Sequence, residues 1–123
     1  MDTAYLVVAI LAIAANAFSG IAALAHFRPI LPAMARAGVP ESWLTFPIGT
    51  LKTAGAAGLL LGLAGVPLIG TAAAVGLVLF FVCAVYTHIR AGDYSPQFGL
   101  AIGFLFLAMA TLGLGLPSAL KSV

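Results

Sequence analysis

The chain has 123 residues, 63% of them hydrophobic and only 7% charged, with a mean hydropathy of +1.22; soluble domains carry roughly 25% charged residues, so a water-soluble fold is excluded and an integral membrane protein is indicated. At about 20 apolar residues per crossing, this length gives one transmembrane domain, residues 1–123, with four spans, short connections and no soluble domain beside them. The net charge of +2 rests on five Lys and Arg residues, too few to indicate nucleic acid, and the single cysteine, Cys83, excludes an internal disulfide, a CxxC redox motif and a cysteine-built metal site.

The first span covers residues 4–27, AYLVVAILAIAANAFSGIAALAHF, and stops where Arg28 and Pro29 follow. Asp2 precedes it, no basic region does, and the apolar run exceeds a signal-peptide core, so it is expected to remain as a span. The connection from Arg28 to about Trp43 holds Arg36, Glu41 and three prolines. It is expected at the membrane interface, with a short helix around Pro32 to Ala37 and Trp43 at headgroup level. The second span, residues 44–65, reads LTFPIGTLKTAGAAGLLLGLAG, with Pro47 in its first turn, where a missing N–H is tolerated. Gly65 to Pro67 form a turn so short that the third span, residues 68–89, must run antiparallel beside the second. After the polar loop RAGDYSP comes the fourth span, residues 97–116, ahead of Pro117. The expected fold is all-α: an antiparallel four-helix bundle in the membrane. Gly58 and Gly62 form one GxxxG and Gly99 and Gly103 another, with Ala54 extending the first row; small residues let transmembrane backbones approach, and both rows are expected to pack within the bundle.

The polar residues are lopsided. The ends of spans one and three share a side, here side A, with the starts of spans two and four. Arg28, Arg36, Glu41, Lys52, Arg90 and Asp93 belong to side A, as do His26 and His88; Asp2 and Lys121 belong to the opposite side B. The positive-inside rule places side A at the cytoplasm. Most of these groups sit in connections or at helix ends, where solvated charges, anchors and caps are their ordinary roles. Lys52 differs. It lies about 12 Å into the second span, where an ammonium costs about 3 kcal/mol and must snorkel, pair or line a wet cavity. It is level with about Phe80, so its amine can rise toward Ala84 to Tyr86, below the stretch CAVYTHIRAGDY of residues 83–94. Cys83 and Thr87 share one face there, and Tyr86 and Arg90 another. Lys52, Tyr86, Thr87, His88, Arg90, Asp93 and His26 are the candidate ligand-binding residues. Asn16 is read as hydrogen-bonding glue between helices and Cys83 as a small buried apolar side chain. Two histidines on different helices without a carboxylate set indicate no metal site, and no nucleophile, phosphate-loop or dinucleotide motif gives a catalytic residue; Ser19 lacks the glycine pattern of a nucleophile elbow.

The pair GTLKTAGAAGLLLGL, residues 49–63, and GLVLFFVCAVYTHIRAGDY, residues 76–94, separated by a short proline turn, resembles DoxX-like membrane proteins, which carry LK…GA.GLLLGL followed by G…F..A…TH.R.GD. Lys52, Thr87, His88, Arg90, Gly92 and Asp93 match that pattern; the other spans match mainly in hydropathy, and the first departs from the glycine and lysine pattern of classical DoxX proteins. The resemblance implies a four-helix membrane fold. It also implies an association with membrane redox complexes, as in the thiosulfate:quinone oxidoreductase subunit that gave the family its name, or with assembly of membrane proteins. It assigns no catalytic role to the matching residues.

Three functions follow as expectations. One is an accessory or assembly subunit of a membrane complex, with a membrane protein partner or a second copy docked on a glycine face. Another is a quinone- or lipid-binding subunit in which Lys52 and His88 hold the ligand's oxygen and Phe80, Phe81 and Tyr86 line the cavity, with a quinone as the candidate ligand and no intrinsic cofactor. The third is transport of a small molecule, for which no inverted repeat or paired broken helix is evident. Membrane lipids contact the chain in every case.

Overall fold

The computed structural model describes residues 3–26, 28–94 and 96–121; Asp2, Phe27 and Ser95 lie outside them. Helix α1 spans Thr3–Leu24 and helix α2 Leu31–Ala37, after a 3₁₀ turn at Arg28–Ile30. A second 3₁₀ turn at Glu41–Leu44 and a widened turn at Thr45–Gly49 lead into α3, Thr50–Leu63, followed by α4, Pro67–Ala91, and α5, Pro96–Lys121. Four stretches, Thr3–Leu24, Glu41–Leu63, Leu68–Ala91 and Pro96–Pro117, are long and apolar enough to cross a bilayer.

The four long helices form a ring in which α1 packs on α3, α3 on α4, α4 on α5 and α5 back on α1. Their shared core is built from Ala12, Leu59, Ala74, Leu77, Phe81 and Ala108. Half of that set is alanine, which brings the helix axes close. Large apolar side chains instead point outward, among them Ile10, Phe18, Leu60, Leu79, Leu100 and Phe106, as a chain solvated by hydrocarbon requires. The first GxxxG row packs inside the bundle: a methyl group on Gly58 would strike Ala73, and one on Gly62 would strike Gly70. The second row departs from expectation. Nothing lies within 4 Å of where side chains on Gly99 and Gly103 would begin, so this face of α5 looks away from the chain's other helices.

Three boundaries differ from the sequence reading by about three residues or more. Helix α1 ends at Leu24, and His26 turns the chain away with a positive φ of 53°, a conformation that histidine adopts more readily than most residues. The second span does not start as a regular helix at Leu44. Phe46 is extended, at φ −147° and ψ 132°, and its bond to Pro47 is cis. A residue before proline is driven from the helical region, so the span is broken at Phe46; Gly49 is helical again, α3 runs on from Thr50, and the Thr50 hydroxyl donates to the Thr45 carbonyl at 2.6 Å. Helix α5 continues through Pro117 to Lys121; one missing N–H interrupts a long helix without ending it.

The connection between α1 and α3 folds back onto side A of the ring. Ala23, Met34 and Leu44 form a second buried cluster there, backed by Leu31, Val39 and Ile48. His26 holds it down: Nδ1 lies 3.1 Å from Glu41 Oε2 and Nε2 lies 2.9 Å from Thr45 Oγ1.

Candidate functional site

Under that connection lies an open cavity of about 680 Å³, a size suited to a small molecule. Ser19 and Ala23 of α1 line it, with Met34, Trp43, Leu44, Pro47 and Ile48 of the connection above. Leu51 and Lys52 of α3, Leu79, Phe80, Phe81, Cys83, Ala84, Thr87 and His88 of α4, and Gln97, Leu100, Ala101 and Phe104 of α5 form most of the rest of its wall. All four spans therefore contribute their side-A halves. Leu51, Leu79, Cys83 and Leu100 both line the cavity and are exposed on the bundle, so it is not sealed from the hydrocarbon around it.

Lys52 is the one cationic lysine or arginine side chain among the cavity-lining residues. Its ammonium donates to Ser19 Oγ at 2.7 Å and sits 5.3 Å from the ring centre of Phe104, 5.5 Å from Phe81 and 5.9 Å from Phe80. Aromatic faces attract a cation at such distances, by about 0.5–2 kcal/mol each. Phe81 is also edge-on to both other rings, at centroid distances of 5.0 Å and 5.3 Å. The cage depends on helix register. Gly20 faces α3 so closely that a methyl group there would collide with Thr53 and stand 3.1 Å from Lys52 Cβ. With only hydrogen at this position, α1 comes near enough for the neighbouring Ser19 to reach the ammonium.

His88 marks the cavity's side-A end, and the way α4 terminates fixes its ring. Gly92 is left-handed, with φ 67°; its N–H bonds the Ile89 carbonyl at 3.0 Å, and the Asp93 N–H bonds the His88 carbonyl at 2.9 Å, the paired bonds of a Schellman cap. A polar link replaces the apolar contact usual across this cap. His88 Nδ1 lies 3.0 Å from Asp93 Oδ2, and both side chains are largely buried. An ionised carboxylate only accepts, so Nδ1 carries the proton in this pair.

Of the seven residues singled out from sequence, Lys52, Thr87 and His88 line the cavity. Thr87 donates to the Cys83 carbonyl at 2.8 Å. Asp93 acts on the site through His88. Tyr86 is exposed outside the lining, as is Arg90, and His26 belongs to the fastening of the connection. The Lys52 amine turns to Ser19 and the three rings rather than toward Ala84 to Tyr86. Cys83 is exposed and lines the cavity, contrary to its reading as a buried apolar group. Asn16 is buried, but its amide donates to Ala12 within its own helix at 2.9 Å, and its carbonyl oxygen has no partner among the described residues. Sequence reasoning missed Ser19, which it weighed only as a nucleophile, and Phe104. A hydroxyl in an apolar span, in a chain whose other span buries a lysine, was the available sign of the first.

No curated protein and no solved structure matches the chain. The sequence model of the DoxX-like family matches residues 7–111, a range that takes in the whole cavity lining, the Lys52 cage and the His88–Asp93 cap. The chain is a multi-pass membrane protein that belongs to the DoxX-like family.

Proposed function

We propose that the chain is a ligand-binding membrane subunit, which admits a bilayer-soluble molecule such as a quinone or a lipid to the cavity and holds its polar end at Lys52. One observation carries this reading: an ammonium deep in a transmembrane span that faces an open, mostly apolar cavity instead of a carboxylate. Buried intramembrane cations mark functional sites because they are expensive to keep. The aromatic rings would flank an apolar head, and Ser19 and Lys52 would supply hydrogen bonds to its oxygen. His88, held at Nδ1 by Asp93, would exchange a proton through Nε2 if the ligand required one. The arginines of the side-A connections support placing the cavity's capped end at the cytoplasmic face of a bacterial-type cell membrane.

A second reading, an accessory or assembly subunit, is supported by the outward Gly99–Gly103 face, where a partner helix could approach closely. Native mass spectrometry of protein extracted gently from its own membrane separates the two. For wild type we expect a bound small molecule, absent from folded Lys52→Ala and weakened in His88→Ala. A stoichiometric protein partner with no small molecule in any sample would overturn the binding reading in favour of the accessory one.

A further inference from the structure

The charge balance of the cavity narrows the ligand further. Beyond Ser19 and the three rings, Lys52 has no polar partner among the described residues. Glu41 is engaged by His26 on the exposed connection, Asp93 is turned to His88, and no carboxylate lines the cavity. The rings soften the burial of the ammonium without neutralising it. Ser19 also accepts the Lys52 proton, which leaves its own hydroxyl hydrogen free to donate, and that hydrogen has no acceptor among the described residues. Two donors from two helices thus converge on one wall, carrying one positive charge, with only the second lone pair of Ser19 Oγ left to accept. A neutral carbonyl would satisfy the donors but leave the charge uncompensated. A carboxylate or phosphate satisfies both, and charge-assisted hydrogen bonds are roughly twice as strong as neutral ones.

We propose that the site selects an anionic amphiphile, a carboxylate or phosphate head on an apolar tail, with the head bound by Lys52 and Ser19 and the tail leaving through the lipid-facing opening beside Leu79 and Leu100. This inference rests on the binding reading above and specifies its ligand. The tail's route follows from the lining, since Leu79 and Leu100 are exposed on the bundle and also border the cavity.

The test uses the full chain in nanodiscs of zwitterionic phosphatidylcholine, with binding read by native mass spectrometry. The matched probes are palmitate against hexadecanol, palmitoyl lysophosphatidic acid against monopalmitoylglycerol, and a decyl quinone. Wild type is expected to prefer each anion over its neutral partner and over the quinone by about tenfold or more, or about 1.4 kcal/mol. The stronger of the two anions identifies the head as carboxylate or phosphate. Lys52→Met should reduce the preference to below about threefold, while Arg28→Gln and Arg36→Gln, which alter only exposed connection charges, should leave it intact. Equal binding of neutral and anionic partners by wild type, or a preference that survives in Lys52→Met, would overturn the proposal and leave the binding reading standing. Failure of every probe to bind would overturn both.

Discussion

Gly62 and Gly103 close the same motif on two helices, and exchanging each for alanine should give opposite results. A methyl group on Gly62 would stand 2.7 Å from Gly70 Cα and 3.2 Å from Gly70 N, whereas carbons rest at about 3.5–4.0 Å. The obstacle is backbone, so no rotamer change relieves it. Residues 64–66 alone join α3 to α4, and the helices must part by about 1 Å beside that turn. Overpacking of this kind costs about 1–3 kcal/mol, against about 0.5–1 kcal/mol returned by alanine's better helix propensity. Gly62→Ala should therefore lose on the order of 1 kcal/mol. At Gly103 nothing lies within 4 Å, so Gly103→Ala should be neutral or stabilising by up to about 1 kcal/mol. Reversible unfolding in mixed micelles by titration with dodecyl sulfate, followed by circular dichroism, measures both variants against wild type. A Gly62→Ala protein as stable as wild type, or a Gly103→Ala protein as weakened as Gly62→Ala is expected to be, would refute the packing assigned to the two rows.

Two further perturbations probe the ends of the cavity. Because the side chains of His88 and Asp93 are only 14% and 4% exposed, their alanine variants should couple by about 1.5–3 kcal/mol in a double-mutant cycle; coupling below about 0.5 kcal/mol in the same unfolding assay would show that the pair does not fasten the end of α4. The His26–Glu41 pair is far more exposed, at 36% and 59%, so His26→Ala should change global stability by less than about 1 kcal/mol, yet free the connection that carries Trp43. As this is the only tryptophan, its quenching by aqueous acrylamide reports on the connection alone; quenching unchanged from wild type would refute the fastening role of His26.

The spans were legible because hydrocarbon imposes a single requirement on every residue of a crossing segment: satisfied backbone and an apolar exterior. The Gly65–Pro67 turn was legible for a similar reason, since its few residues leave no alternative to antiparallel packing. Sequence could not separate the two glycine rows. Spacing states that a backbone approach is permitted, and only the arrangement of neighbours decides whether one occurs. Nor did Pro47 declare its effect: the same residue type opens α4 after a turn at Pro67 but follows a break inside the second span at Pro47. Both prolines follow a non-helical residue, Val66 at φ −119° and ψ 72° and Phe46 at φ −147° and ψ 132°, but Leu44 and Thr45 ahead of Phe46 are helical, so there the break falls within a span.

At the site, legibility follows the size of the penalty each residue carries alone. Lys52 identifies itself because an ammonium in a span is costly wherever its partners lie. His88 and Asp93 could be found because they flank one glycine-terminated helix end and need no other element to meet. Ser19 and Phe104 carry no such cost: a serine or phenylalanine is at home in many membrane helices, and each joins the site only through contacts between helices. That register is fixed in part by Gly20, whose missing side chain admits Thr53 and draws Ser19 onto Lys52. The glycine shapes the candidate site without lining the cavity, and its effect on Ser19 exists only once α1 and α3 have packed. A lysine in a span therefore locates a candidate site from sequence, while the surroundings of its ammonium depend on the unremarkable residues that packing brings around it.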